Sequence, residues 1–304
     1  MHDRMLPPAI RALPGLLLPL VLLLGLLAPL IPAAQAQTAQ AQATQDSDRI
    51  SHLMDLMGMD AIVAIMRDEG LAYGADLGRD MLAGQGGPVW DRQVDRIYDK
   101  AAMSALVRAD FRAAFGAADP EPLIRFFETE TGQQIVALEI AARRAFMDED
   151  IEETAREAFR QIEADLDAPS PRDIDPHLSA IEAYVEANDL IGFNVMGAMN
   201  ANMLFYRGLI EGGALEMTEG EILSDVWEQE DETRAETREW LYAFLMLAYQ
   251  PLDAAQISDY ADLSLTPPGR AMNVALFTAF DAMYGNLSHA LGLAIAAQML
   301  TEDL

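Results

Sequence analysis

Thr129-Glu130-Thr131-Gly132-Gln133-Gln134-Ile135-Val136-Ala137-Leu138-Glu139-Ile140-Ala141-Ala142-Arg143-Arg144-Ala145-Phe146 carries the apolar spacing of a helix. Ile135, Leu138, Ala142 and Phe146 recur at three and four residues, and Ile151, Ala155, Phe159 and Ile162 continue the period. Side chains so spaced share one face of a helix. Thr129 stands where an N-cap oxygen is needed to accept from an otherwise unpaired first-turn amide. Glu139 with Arg143, and Glu152 with Arg156, have the i,i+4 spacing of helical ion pairs, each contributing about 0.3 to 0.5 kcal/mol. Met272, Leu276, Phe280, Met283, Leu287 and Leu291 repeat the helical period near the other end of the chain, and strand alternation of comparable length is absent. The fold class read from the sequence is all-α.

On either side of this stretch the chain repeats itself. Asp55-Leu56-Met57-Gly58-Met59-Asp60 reappears as Asp189-Leu190-Ile191-Gly192-Phe193-Asn194 at an offset of 134. Val89-Trp90-Asp91 matches Val226-Trp227-Glu228 at 137, as Thr129-Glu130-Thr131-Gly132 matches Thr266-Pro267-Pro268-Gly269. Such self-similarity is a reason to read two copies of one unit. The reading gives a first helical repeat over 50–167, a Pro-rich linker over 168–176 and a second repeat over 177–304. Pro169, Pro171 and Pro176 remove backbone donors there and disfavour helix on the residues before them. Each repeat reads as a bundle of four helices: 50–83, 89–115, 120–128 and 130–166, then 177–211, 219–250, 254–264 and 267–301.

Punctuation agrees with these spans. Gly84, Gly86, Gly87 and Pro88 precede Trp90, and Gly212 and Gly213 precede Thr218-Glu219-Gly220-Glu221, a capping-box pattern. Asp119 and Asp253 are N-cap candidates for a short third helix in each repeat, and Thr266 caps the last helix with Pro267 in its first turn.

The N-terminus reads as an address. Arg4 and Arg11 precede an apolar run from Ala12 to Ala34 that ends in Pro32-Ala33-Ala34-Gln35-Ala36. This is the pattern of a secretory signal peptide over 1–36, cut after Ala36. An uncleaved anchor is the alternative and the only route to a membrane, but Pro14, Pro19, Pro29 and Pro32 make the run a poor spanning helix. Residues 37–49, polar and without an apolar period, read as a disordered lead-in. The expected location is the periplasm.

Composition narrows the function classes. The 304 residues carry 49 acidic against 20 basic side chains, a formal net charge of -29, which repels phosphate backbones and argues against nucleic acid. There is no cysteine, so thiol catalysis, zinc-thiolate sites, disulfides and an acylated N-terminal cysteine are excluded.

Leu123-Ile124-Arg125-Phe126-Phe127-Glu128-Thr129-Glu130-Thr131-Gly132-Gln133 resembles the Phe-aromatic-x-Ser/Thr-x-x-Gly signature of an exported bacterial family, domain of unknown function 2059. Tyr260 to Arg270 is similar to a second, diverged copy, with Leu263 and Ser264 where Phe126 and Phe127 stand. The resemblance implies an all-helical periplasmic domain without an established activity. Trp90, Thr129, Gly132, Trp227, Thr266 and Gly269 are read as structural markers: Thr caps, and Gly at the third helical position allows close approach.

Few residues suggest chemistry. His52, Met54, Met57 and Met59 combine imidazole with thioethers, a donor set suited to Cu(I), but Ile191 and Phe193 stand opposite Met57 and Met59 in the second repeat, which favours core packing. Met57, Met66, Met196, Met199 and Met203 are candidates for an adaptable groove or for plain core. His177 and His289 have no relay partner at a telling spacing. Asp148-Glu149-Asp150 and Glu228-Gln229-Glu230-Asp231-Glu232 lack calcium-loop alternation and read as solvated faces. The expectation is a noncatalytic binding module without a cofactor, holding an unknown protein or a small apolar ligand between its halves. A hydrolase with a site assembled only in three dimensions and a copper-binding protein are the alternatives.

Overall fold

The computed structural model describes residues 46–82, 87–166 and 175–302. Among them every regular element is a helix: α1 (46–56), α2 (Met59–Met81), α3 (Gly87–Ile97), α4 (Lys100–Phe115), α5 (Glu121–Phe127), α6 (Glu130–Ala145), α7 (Glu149–Leu166), α8 (Pro176–Ala187), α9 (Leu190–Glu211), α10 (Glu219–Glu228), α11 (Glu230–Tyr249), α12 (Ala254–Leu265) and α13 (Pro267–Glu302). The all-α class holds. The signal segment 1–36 and most of the Pro-rich linker lie outside the described residues. The expected lead-in 37–49 overlaps α1, which already includes residues 46–49.

Several long helices expected from the period are broken in two, each for a local reason. Gly58, in the left-handed region at φ 69°, separates α1 from α2, and a Cβ there would lie 2.6 Å from Ile140 Cδ1. Asp99, in an extended conformation, starts α4 by accepting from the Ala102 amide at 2.8 Å. Asp148 does the same for α7, accepting from the Asp150 amide at 3.1 Å. Asp189 turns the chain at φ 45° between α8 and α9, and Gln229 parts α10 from α11. Periodicity registers such breaks poorly, because one or two residues of turn leave the apolar spacing on both sides intact. α13 alone runs unbroken, over 36 residues.

The caps follow the sequence. Thr129 Oγ1 accepts from the Gly132 amide at 3.0 Å, and Thr266 Oγ1 from the Gly269 amide at 3.1 Å. Capping boxes pair Thr218 with Glu221 and Asp253 with Gln256. Gly132 and Gly269 are both required by close approach: a Cβ would sit 2.2 Å from the Phe126 carbonyl oxygen and 2.0 Å from that of Leu263. Glu152 pairs with Arg156 as spaced, at 2.8 Å. Glu139 and Arg143 do not pair: each is drawn off by a tertiary partner, Arg143 by Glu69 and Glu139 by Tyr249.

The helices interlock. α13 lies along α9 and against α4, while α11 packs on α6 and α7, and α12 on α8. Helices of both expected bundles contribute to one core, in which Leu53, Met59, Phe111 and Phe127 join Tyr249, Ile257, Met283 and Ile295. Aromatic pairs bridge the two groups: Phe126 stacks on Tyr260 at 5.5 Å, Phe159 on Tyr242 at 5.0 Å, and Phe146 meets Phe244 edge-on at 5.7 Å. Such contacts add about 0.5 to 1.5 kcal/mol each beyond area burial. A smaller cluster of Val195, Met199, Ile222 and Val226 holds α10 on α9.

Candidate ligand clefts

α7 is amphipathic with two apolar edges. Phe159 points into the core, while Ala155, Ile162 and Leu166 form one wall of a cleft of about 840 Å³. The facing wall is the C-terminal half of α11, with Ala243, Met246 and Leu247, and the start of α8 closes one end with Leu178 and His177. Carboxylates lie at its border, from Asp150, Asp165 and Asp175. Asp175 is held as the α8 cap, accepting from the His177 amide at 3.0 Å. The His177 ring is used structurally: its Nε2 donates to the Tyr249 carbonyl oxygen at 3.0 Å.

A second cleft, of about 460 Å³, opens between α2, α9 and α13. Met66 and Met199, two of the methionines marked as groove candidates, line it. Of the others, Met57 is buried in the core, Met203 supports the smaller cluster and Met196 is exposed. Two of its lining residues, Glu69 and Tyr284, share a donor: Arg143 donates to both carboxylate oxygens of Glu69, at 2.9 and 2.8 Å, and to the Tyr284 hydroxyl at 3.3 Å. Burial works against the charge on Arg143, but Tyr284 and Glu69 more than restore it, so its pKa is raised.

A half-buried acid, Glu139, lies on α6 beside a cluster of tyrosines. Burial lifts the Glu139 carboxyl to about 7, and the hydroxyl of Tyr249, donating at 2.5 Å, only partly offsets this. Tyr184 and Tyr260 stack beside Tyr249 in the same cluster, at 4.7 Å from each other. Burial raises their phenols as well, so all remain protonated. Sequence reading missed Glu139 as a perturbed group because its partners come from α8, α11 and α12, far along the chain.

The remaining candidates disperse. Met54 and Met59 are fully buried in the core, whereas His52 turns to Glu128 at the surface, 3.2 Å away, so the four proposed copper donors do not share one site. Among the described residues no group of three or more His, Cys, Asp or Glu is placed to hold a metal ion. His289 pairs with Glu211 at 2.8 Å on the surface rather than in a cleft. Both acidic runs lie mostly exposed. Trp90 is buried and Trp227 exposed.

The fold and the clefts define an all-helical domain with ligand-sized spaces and polar groups committed mainly to caps and ion pairs. Residues 101–161, from α4 into α7 and including the Phe126 to Gly132 motif, match a family model described as an uncharacterized protein conserved in bacteria, DUF2059. No curated protein and no solved structure matches the chain.

Proposed function

We propose that this chain is an exported, noncatalytic binding module that holds a small apolar ligand in the cleft between α7, α8 and α11. The observation that carries the proposal is the cleft itself. Its volume, about 840 Å³, falls within the usual range for small-molecule sites, and Ala155, Ile162, Leu166, Leu178, Ala243, Met246 and Leu247 give it an apolar lining. Nε2 of His177, at one end of the cleft, is committed to the Tyr249 backbone carbonyl.

The proposal includes a tandem duplication, with α1–α7 and α8–α13 as the two copies. Its support is a shared order of devices. Buried Ile50, Leu53, Met54 and Met57 precede left-handed Gly58, as buried Ile181, Tyr184, Val185 and Asn188 precede left-handed Asp189. This pairs the copies at an offset of 131 before the turn, rather than the 134 of the matched hexapeptides. The interlocking is reciprocal in the same sense: the final helix of each copy packs on the second long helix of the other, α13 on α4 and α6–α7 on α11. The apolar cleft then lies between the copies, with α7 from the first and α8 and α11 from the second. Export rests on the basic, apolar and small-residue order of residues 1–36.

The test is displacement of a neutral naphthylamine fluorophore from the mature protein. Ala158, exposed on the cleft wall, is replaced by Trp to fill the space without entering the core. Saturable fluorescence that Ala158→Trp removes is the expected result, and equal fluorescence from both proteins sinks the assignment. Export is checked by the N-terminal residue of protein recovered from the cell envelope, expected to be Gln37.

A further inference from the structure

We infer that the cleft between α2, α9 and α13 binds a small organic cation bearing a primary ammonium group. This site is separate from the apolar cleft. Its walls present the rings of Tyr73, Tyr98, Phe205 and Tyr284, and the one charged side chain on its lining is Glu69. Aromatic faces attract cations through the ring quadrupole, and the Glu69 carboxylate, whose charge Arg143 balances, offers acceptor oxygens beside them. Arg143 lies behind Glu69 and takes one edge of its carboxylate, which fixes the group in place. The Glu69 side chain stays 32% exposed, open to the cleft. The whole molecule, with 49 acidic against 20 basic residues, raises the local concentration of cations.

Tyr98 identifies the ammonium as one with N–H donors. Its side chain is 5% exposed, and no hydrogen bond to its hydroxyl is made among the described residues. Yet no buried side-chain oxygen or nitrogen of those residues is without a partner, so this hydroxyl has to reach the cleft. The position is built: a Cβ on Gly70 would lie 2.0 Å from the Tyr98 ring, so the glycine makes the space in which the ring sits. Tyr73, 54% exposed at the cleft mouth, makes no hydrogen bond through its hydroxyl among the described residues, and the Tyr284 oxygen already accepts from Arg143. A primary ammonium would donate to the Tyr98 oxygen, the Tyr73 oxygen and the free lone pairs of Glu69, while its charge meets the rings. A quaternary ammonium would leave those oxygens unmet.

The experiment is isothermal titration of the mature protein with n-butylammonium, and with 1-butanol as its uncharged counterpart, at physiological ionic strength. Saturable binding of the ammonium and none of the alcohol is expected. Tyr98→Phe, which keeps the ring packing, should weaken binding about fivefold through one lost hydrogen bond. Glu69→Gln should weaken it about tenfold or more through loss of the charged acceptor. Ala158→Trp, in the other cleft, should leave it unchanged, so this site stands or falls independently of the apolar one. Equal binding of butanol, absence of saturable butylammonium binding, or an affinity that neither Tyr98→Phe nor Glu69→Gln alters would overturn the inference.

Discussion

Trp90 and Trp227 stand in the same three-residue phrase, Val-Trp-acid, yet Trp90 is 2% exposed and Trp227 52%. The difference is made by the helix beneath each. α2 offers Gly70, Gly74 and Gly78 at four-residue spacing, and Tyr98, Val94 and Trp90 of the α3 region sit in the spaces their missing side chains leave. Trp90 Nε1 even donates to the Gly74 carbonyl oxygen at 2.7 Å. α9 has glycines too, but Gly208 and Gly212 are taken by α13, whose Gly292 and Ala296 lie against them. α10 is left to rest on α9 through Ile222 and Val226, with Trp227 outside. A tryptophan's burial is thus decided by which neighbour wins the smooth face of a third helix, not by the residues around the tryptophan.

That contrast predicts the largest effect. Trp90→Ala removes a fully packed indole and its hydrogen bond, a loss of about 4 kcal/mol of unfolding free energy. Trp227→Ala, at a half-exposed surface site, should stay within about 0.5 kcal/mol. Urea denaturation of the two single variants measures both. Similar losses at the two positions would break the comparison and indicate that α10 is covered in solution.

A second contrast pairs Glu139 with Leu276, the residue 137 positions later. Both are half-buried, one an acid and the other a hydrocarbon. Burial raises the Glu139 carboxyl from its ordinary 4.5 to about 7, so the folded protein holds this proton more tightly than the unfolded chain. The stability linked to it is complete below pH 4.5 and is lost as pH rises through about 7. The loss is at most about 3 kcal/mol across that window, less as solvent reaches the half-buried carboxyl. Glu139→Gln, which can still accept from Tyr249, should flatten this part of the stability profile and raise stability at pH 8. An unchanged slope between pH 5 and 8 would assign the dependence to another group.

These contrasts also mark what was legible in the sequence. Period, caps and the close-approach glycines were local signals, and Thr129, Gly132, Thr218, Thr266 and Gly269 act as their spacing predicts. The glycine face of α2 was equally visible as Gly70, Gly74 and Gly78, and it is the signal that would have placed Trp90 indoors. What the spacing misassigned was tertiary. Arg143 is four residues after Glu139 but bonds Glu69 in α2 and Tyr284 in α13, because a bidentate, largely enclosed pair is stronger than a solvated helical one. Of the clefts, only the one between α2, α9 and α13 was legible, through Met66 and Met199; the walls of both come from helices far apart in the chain.

The smallest effect concerns a place where the two parts agree. Thr129 donates to the Phe126 carbonyl oxygen at 2.6 Å while accepting from Gly132, and Thr266 donates to that of Leu263 at 2.6 Å while accepting from Gly269. In each, the hydroxyl ties the end of a short helix to the start of the next, and glycine lets the two meet. Alanine removes both bonds and serine keeps both, so Thr→Ala should cost about 1 kcal/mol at either site and Thr→Ser a few tenths. Equal costs at 129 and 266 would sharpen the comparison, because the same hinge then works alike under Phe126 and Phe127 as under Leu263 and Ser264. A cost confined to Thr129 would mean that the long, continuous α13 is held by its partners α9 and α4 and no longer depends on its own first turn.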